Sequence, residues 1–201
     1  MNGNKIIIGV TGYLGSGKTT ALNFFQEAGF STIDSDDIVH YLYKEGRGGW
    51  RKIKDFFGET YIKNGDVDRI ALRKVVFNNP TKLKILEKLI HPLVFNEIRS
   101  RIKSAKNNKI AIEAISFDEK KMGREIDFTV WIKLDHKTAY MRCNKKRKLS
   151  FDNYMKIIKS QKKPAKIDFM IDNDGNKDEL KEKVMDVANS IISQNKTISL
   201  E

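Results

Sequence analysis

The sequence predicts an α/β fold in which a five-stranded parallel sheet is covered by helices. Three observations point there. Short, largely β-branched runs alternate with helical patterns along the chain, and such alternation packs parallel strands between helices. A glycine-rich turn follows the first run directly and leads into an amphipathic stretch. With 40% apolar residues and one cysteine among 201, burial of side chains rather than disulfides must hold the fold.

Residues 5–10, KIIIGV, are too brief for a stable helix and read as a buried strand. From Thr19 to Ala28, the residues Ala21, Leu22, Phe24, Phe25 and Ala28 recur at helical spacing, and Gly29 is placed to end that helix. FSTID at 30–34 is the second strand. Residues 40–105 form an insertion with helical periodicity and no strand. Within it Asn79-Pro80 marks a break, and Pro92 is expected to kink or interrupt the later helix near His91, because it lacks a donor and crowds the preceding turn. KIAIEAI (109–115), FTVWIKL (128–134) and IDFMI (167–171) supply the remaining strands. Residues 136–163 are a second helical excursion, a helix over 177–194 closes the fold, and the tail NKTISLE is expected to fray. The core thus comprises 1–39, 106–135 and 164–201.

The formal net charge is +12. Residues 133–166 hold twelve Lys or Arg against Asp135 and Asp152 alone, which places ten of those net charges in one segment. Such a stripe fits a nucleic acid backbone, the phosphates of a small ligand, or a solvated face. MNGNK has no signal-peptide pattern, and no window approaches the roughly 18 apolar residues of a membrane span. The lone thiol, Cys143, suits a reducing compartment, so the expectation is a soluble cytoplasmic protein with no membrane partner. Three scattered histidines and one cysteine make no transition-metal site. Trp50 and Trp131 read as packing residues, and His40 and His136 as structural.

Residues 12–19, GYLGSGKT, satisfy G-x-x-x-x-G-K-[ST] between a strand and a helix, the setting of a P-loop NTPase fold. Gly12, Gly15 and Gly17 allow backbone N–H groups, including those of Leu14 and Ser16, to surround a polyphosphate, and the helix terminus adds partial positive charge. Lys18 is expected to bridge the β- and γ-phosphates. Thr19 is expected to ligate Mg²⁺, with Thr20 beside it. ATP with magnesium is therefore the expected ligand. A GTPase would carry Asn-Lys-x-Asp, which is missing, and an early D-x-x-G, whereas the D-x-x-G here, Asp172 to Gly175, follows the last strand. The second strand instead ends in IDSDDIVH, which sets Asp34, Asp36 and Asp37 where strand ends line the phosphate site. A carboxylate there can take the proton of an attacking hydroxyl, and one of the three is expected to cap the next helix.

The succession GVTGYLGSGKTT, IDSDDIVH, GDVDRIALRKVVF, LEKLIHPLV, SQKKP and IDNDG resembles the dephospho-CoA kinase family over residues 5–190. The resemblance implies transfer of the ATP γ-phosphate to the ribose 3′-hydroxyl of dephospho-CoA. It also implies a nucleotide-binding core, a helical acceptor domain (40–105) and a lid (136–163). By the same resemblance Asp36 is the general base and Asp34 its companion. His91 and Glu113 face the acceptor, Arg142 is a lid arginine that neutralises the transferred phosphoryl group, and Asn173 lies near the adenine. This chain departs from the family pattern in three places. D-x-P-L-L-F-E is replaced by EAISFDE (113–119), which keeps acids at Glu113 and Glu119. The second lid arginine is matched by Lys146, with Arg147 one place along as the candidate ATP contact, and glutamine-methionine-proline becomes QKKP.

Two rivals remain from the sequence: a nucleoside monophosphate or other small-molecule kinase on the same scaffold, and an ATP-dependent nucleic-acid-binding protein using the basic stripe. The stripe falls where a kinase lid belongs, and ATP with a phosphorylated acceptor accounts for it, so no nucleic acid partner is expected. Nothing in the sequence predicts the oligomeric state.

Overall fold

A computed structural model of the chain describes residues 5–77, 79–113, 125–147 and 149–198, without the side chains of 145–147 and 195–198. The elements in order are β1 (Ile6–Thr11), α1 (Lys18–Glu27), β2 (Ser31–Asp34), α2 (Ser35–Leu42), α3 (Gly48–Phe57), a 3₁₀ turn (Glu59–Tyr61), β3 (Ile62–Lys63), β4 (Asp66–Val67), α4 (Arg69–Phe77) and α5 (Pro80–Ser104). Then follow β5 (Lys109–Glu113), β6 (Phe128–Lys133), α6 (His136–Arg147), α7 (Phe151–Ser160), β7 (Phe169–Asp172) and α8 (Lys177–Ile198).

The five long strands form one sheet in the order β2-β5-β1-β6-β7, and every pairing is parallel. β1 is central and all six of its residues are buried, as its unbroken apolar run requires of a strand covered on both faces. Ile6, Ile8 and Val10 join Ala111, Val130, Ile132 and Ile171 of the neighbouring strands. That face packs against Ala21, Leu22, Phe24 and Phe25 of α1 and Leu180, Val184, Ala188 and Ile191 of α8. Each large side chain buried in this way contributes about 1.5–3 kcal/mol. α1 ends as its sequence indicates: Gly29 N–H donates to the Gln26 carbonyl at 2.9 Å and Phe30 N–H to the Phe25 carbonyl at 3.0 Å, a Schellman pair.

The chain divides into two compact units, one of Met1–Asp34 with Ala105–Glu201 and one of Ser35–Ser104. In the second unit, Asp68 caps α4 by accepting the Ile70 and Ala71 N–H groups at 3.0 Å, and Leu72 lies buried one turn on. The D-R-x-x-L stretch is therefore a helix start with its core anchor. Asn79 caps α5 through the Lys82 N–H at 3.0 Å, with Pro80 as the first helical residue.

Two expectations for this unit are corrected. Pro92 does not interrupt its helix: α5 runs unbroken through it, with Ile90, Val94 and Ile98 on both sides of the proline buried in the unit's core. The unit also contains strands, the short antiparallel pair β3 and β4. Asn64 and Gly65 form its turn with φ of 52° and 85°, the primed geometry that Asn-Gly favours. Two residues per strand are too few to show an alternating pattern. No helix among the described residues is long and apolar enough to cross a membrane.

Candidate active site

β1 delivers the chain into the glycine loop at the fully buried Thr11. Gly15 has φ of 82°, and a Cβ there would strike the Ala139 carbonyl and approach Cys143 Sγ to 2.7 Å, so no larger residue fits. Gly12 lies as tightly against the Ile132 carbonyl of β6, and Gly17 against the Asn173 amide. The loop thus runs in contact with β6, α6 and the turn after β7. Ser16 N–H donates to the Tyr13 carbonyl at 3.1 Å, while Ser16 Oγ is buried with no hydrogen-bond partner among the described residues. Gly17 precedes α1, whose first turn has no side-chain cap and no acidic residue. An uncapped helix N-terminus under a glycine loop offers inward N–H groups and partial positive charge to an anion.

Lys18 opens α1 and is 6% exposed, its ammonium donating to the Tyr13 carbonyl at 3.1 Å across the loop. Thr19, exposed on the next position, donates through its hydroxyl to Glu113 Oε1 at 3.2 Å. Thr20 is half-buried beside it. Glu113 ends β5 and is buried, in register with Val10 of β1 and Asp34 of β2. Two carboxylates and a hydroxyl therefore belong to the adjoining strand ends and the first turn of α1. These are hard oxygen donors, suited to Mg²⁺ rather than to a soft metal. Among the described residues no group of three or more His, Cys, Asp or Glu is placed to hold a metal ion.

Asn173 is 4% exposed, and its amide donates to the Ser16 carbonyl at 2.7 Å while its own N–H donates to Lys133 O at 2.9 Å. It is therefore in the loop's wall. Arg142 of α6 donates to the Asn173 carbonyl at 3.2 Å and the Gly175 carbonyl at 3.5 Å, tying that helix to the same turn. The Asp174 carboxyl in this turn is held below the usual carboxylate range by backbone hydrogen bonding and by Lys183, 3.3 Å away.

Asp36 and His91 belong to the second unit. Asp36 is exposed in the first turn of α2, where its charge suits the helix dipole, with Asp37 beside it. His91 is exposed on α5 with its ring 6.1 Å from that of Phe95. The side chains of Lys146 and Arg147, and residues 114–124 with Glu119, lie outside the described residues.

Two residues at the loop escaped sequence reasoning. Leu14 N–H donates to Gln161 Oε1 at 3.0 Å, and the Leu14 carbonyl accepts from the Tyr154 hydroxyl at 3.2 Å. Gln161 stood in view in SQKKP, but only as a departure from a pattern. Trp131 is a packing residue as expected, 3% exposed and edge-on to Tyr13 at 5.0 Å.

A model of the family described as Dephospho-CoA kinase matches residues 6–179. The chain is 32% identical over 189 residues to a dephospho-CoA kinase of Lactobacillus acidophilus, covering 89% of this chain and 93% of that protein. Among solved structures it is similar to a dephospho-CoA kinase from Campylobacter jejuni, with a TM-score of 0.66 and 26% identity over 94% of this chain and 98% of the other. A Thermus thermophilus protein, TT1252, shares the fold with a TM-score of 0.77 at 23% identity, covering 94% of this chain and 98% of that one. These matches show that the chain belongs to the dephospho-CoA kinase family.

Proposed function

We propose that this protein transfers the γ-phosphate of ATP to the ribose 3′-hydroxyl of dephospho-CoA, giving coenzyme A and ADP. The supporting observation is the loop itself, with Lys18 buried against it and Thr19 bonded to Glu113 at the strand ends, in a chain of this family. The acceptor oxygen attacks the γ-phosphorus and its proton passes to Asp36. The bond from the γ-phosphorus to the bridging oxygen breaks, and ADP leaves with that oxygen. Lys18 stabilises charge on the bridge, and the N–H groups of Gly15 and of residues 17–19 hold the phosphates, those of Leu14 and Ser16 being taken by Gln161 and the Tyr13 carbonyl. Magnesium, when bound, neutralises phosphate charge.

Thr19 is the residue for that ion, and Glu113, which accepts the Thr19 hydrogen bond, adjoins it at the acceptor edge. Asp34, in register with Glu113, acts as companion acid at the acceptor edge. Residues 40–105, with His91, receive the acceptor. Residues 136–163 act as the lid, with Arg142 and Arg147 supplying positive charge. The buried lone thiol of Cys143 fits a cytoplasmic location.

A coupled ADP-release assay across an acceptor panel tests the proposal. Dephospho-CoA should support turnover, with AMP, CMP and UMP poor acceptors, because only the longer acceptor supplies binding energy along its pantetheine arm to orient the hydroxyl. Efficient phosphorylation of a nucleoside monophosphate with dephospho-CoA inert would overturn it.

A further inference from the structure

The two hydrogen bonds on Leu14 do more than join α7 to the loop. The Leu14 N–H belongs to the peptide between Tyr13 and Leu14, and the Leu14 carbonyl to the peptide between Leu14 and Gly15. Gln161 therefore fixes one peptide plane and Tyr154 the next. In a trans peptide the N–H points opposite to the C=O, so gripping the Leu14 carbonyl from α7 turns the Gly15 N–H away from α7. That second plane is the one most prone to rotate, because it leads into Gly15, a glycine already at positive φ.

The gripping groups are themselves fixed. Tyr154 is fully buried, packed with Leu14, Leu134, Ala139, Cys143 and Ile158. The Tyr140 ring lies 5.6 Å from it and the His136 ring 6.4 Å. Burial, then the neighbouring Cys143 and Asp135, push its phenol up to about 12, so the hydroxyl remains a donor across the physiological range. Gln161 terminates α7, its N–H donating to the Ile158 carbonyl at 3.0 Å, which sets the origin of its side chain.

We infer that Tyr154 and Gln161 are positioning residues that lock both peptides of Leu14, so that the Gly15 N–H stays turned toward the triphosphate. The inference rests on the loop holding ATP. In Tyr154→Phe and Gln161→Ala proteins, the Kd for ADP by calorimetry and the KM for ATP should each rise roughly threefold to tenfold, the range of one net hydrogen bond. The KM for dephospho-CoA should stay within about twofold. Gln161 is only half-buried, so its variant folds even if loss of the Tyr154 hydroxyl proves disruptive. Variants that bind ADP as tightly as the parent, whatever their Tm, would reduce the contacts to packing and overturn the inference. An equal rise in KM for dephospho-CoA would overturn it too. A parent protein that fails to bind ADP would instead remove the nucleotide assignment on which it stands.

Discussion

The two compact units differ in what they bury. The first encloses polar groups as well as apolar ones: Thr11, Ser16, Lys18, Glu113 and Asn173 are buried there, around a sheet whose Ile8, Val10, Ile110, Ile112, Val130 and Ile132 are fully covered. The second buries Ile38 and Ile53 completely and Leu72, Ile90 and Ile98 nearly so, yet leaves Ile70 72% and Phe56 56% exposed, with no buried charge among its described residues. Buried polar groups interact strongly and are costly to leave unpaired, so they concentrate where charge must be positioned. The difference divides the two units: buried polar groups gather at the glycine loop of the first, whereas the second carries Asp36 and His91 on its surface.

Substitutions can break that division. Lys18→Ala should lower turnover by roughly 10³- to 10⁵-fold with the fold retained, since a positioned cation acts on transition-state charge. A folded variant with near-normal turnover would remove the loop's role. Asp36→Asn should lower turnover by roughly 10²- to 10⁴-fold with ATP affinity little changed, because the proposed general base serves proton transfer rather than phosphate binding. Greater loss from Asp34→Asn at saturating magnesium would exchange the roles of these two acids.

Stability measurements sharpen the comparison. Ile53→Ala in the second unit's core should cost about 2–5 kcal/mol by urea denaturation, whereas Ile70→Ser on its surface should stay within about 0.5 kcal/mol. A large cost at Ile70 would mean that the exposed face is structural.

Each unit also holds a buried tyrosine. Burial pushes Tyr43 up to about 12 against the opposing charge of Arg69, and Tyr154 is raised to about 12 likewise. Unfolded, both phenols titrate near the usual 10.0. Between about 10 and 12 the unfolded chain therefore binds fewer protons than the native one, and stability falls as pH rises. The loss should reach at most about 3 kcal/mol per tyrosine. It should be absent below the unfolded value and smaller in Tyr43→Phe. A flat stability profile across that window would show that neither ring is sealed from water.

What the sequence revealed was what depends on neighbours in the chain. The strands, the glycine loop, the end of α1 at Gly29 and the break at Asn79-Pro80 follow from periodicity and capping within a few residues. The hairpin at Asn64-Gly65 had its turn signal but strands too short to show a pattern. Pro92 obeyed tertiary packing over local propensity. The contacts that build the site were not legible: Thr19 meets Glu113 across 94 positions, Leu14 meets Tyr154 across 140, and Ser16 meets Asn173 across 157. Such pairs are created by strand order, which places the ends of β5 and β6 on either side of β1 and brings the turn after β7 to the loop. Asn173 was expected near the adenine from the family resemblance, whereas its service to the Ser16 carbonyl had no sequence signal.

In the proposed reaction the γ-phosphate of ATP comes to rest on the ribose 3′-oxygen of dephospho-CoA. Phosphorus NMR of the protein with ATP, magnesium and dephospho-CoA tests it most directly. The predicted result is one new phosphomonoester signal coupled to the ribose 3′-proton, growing in step with ADP. Growth of ADP alongside inorganic phosphate alone, or a phosphomonoester at any other position, would contradict it.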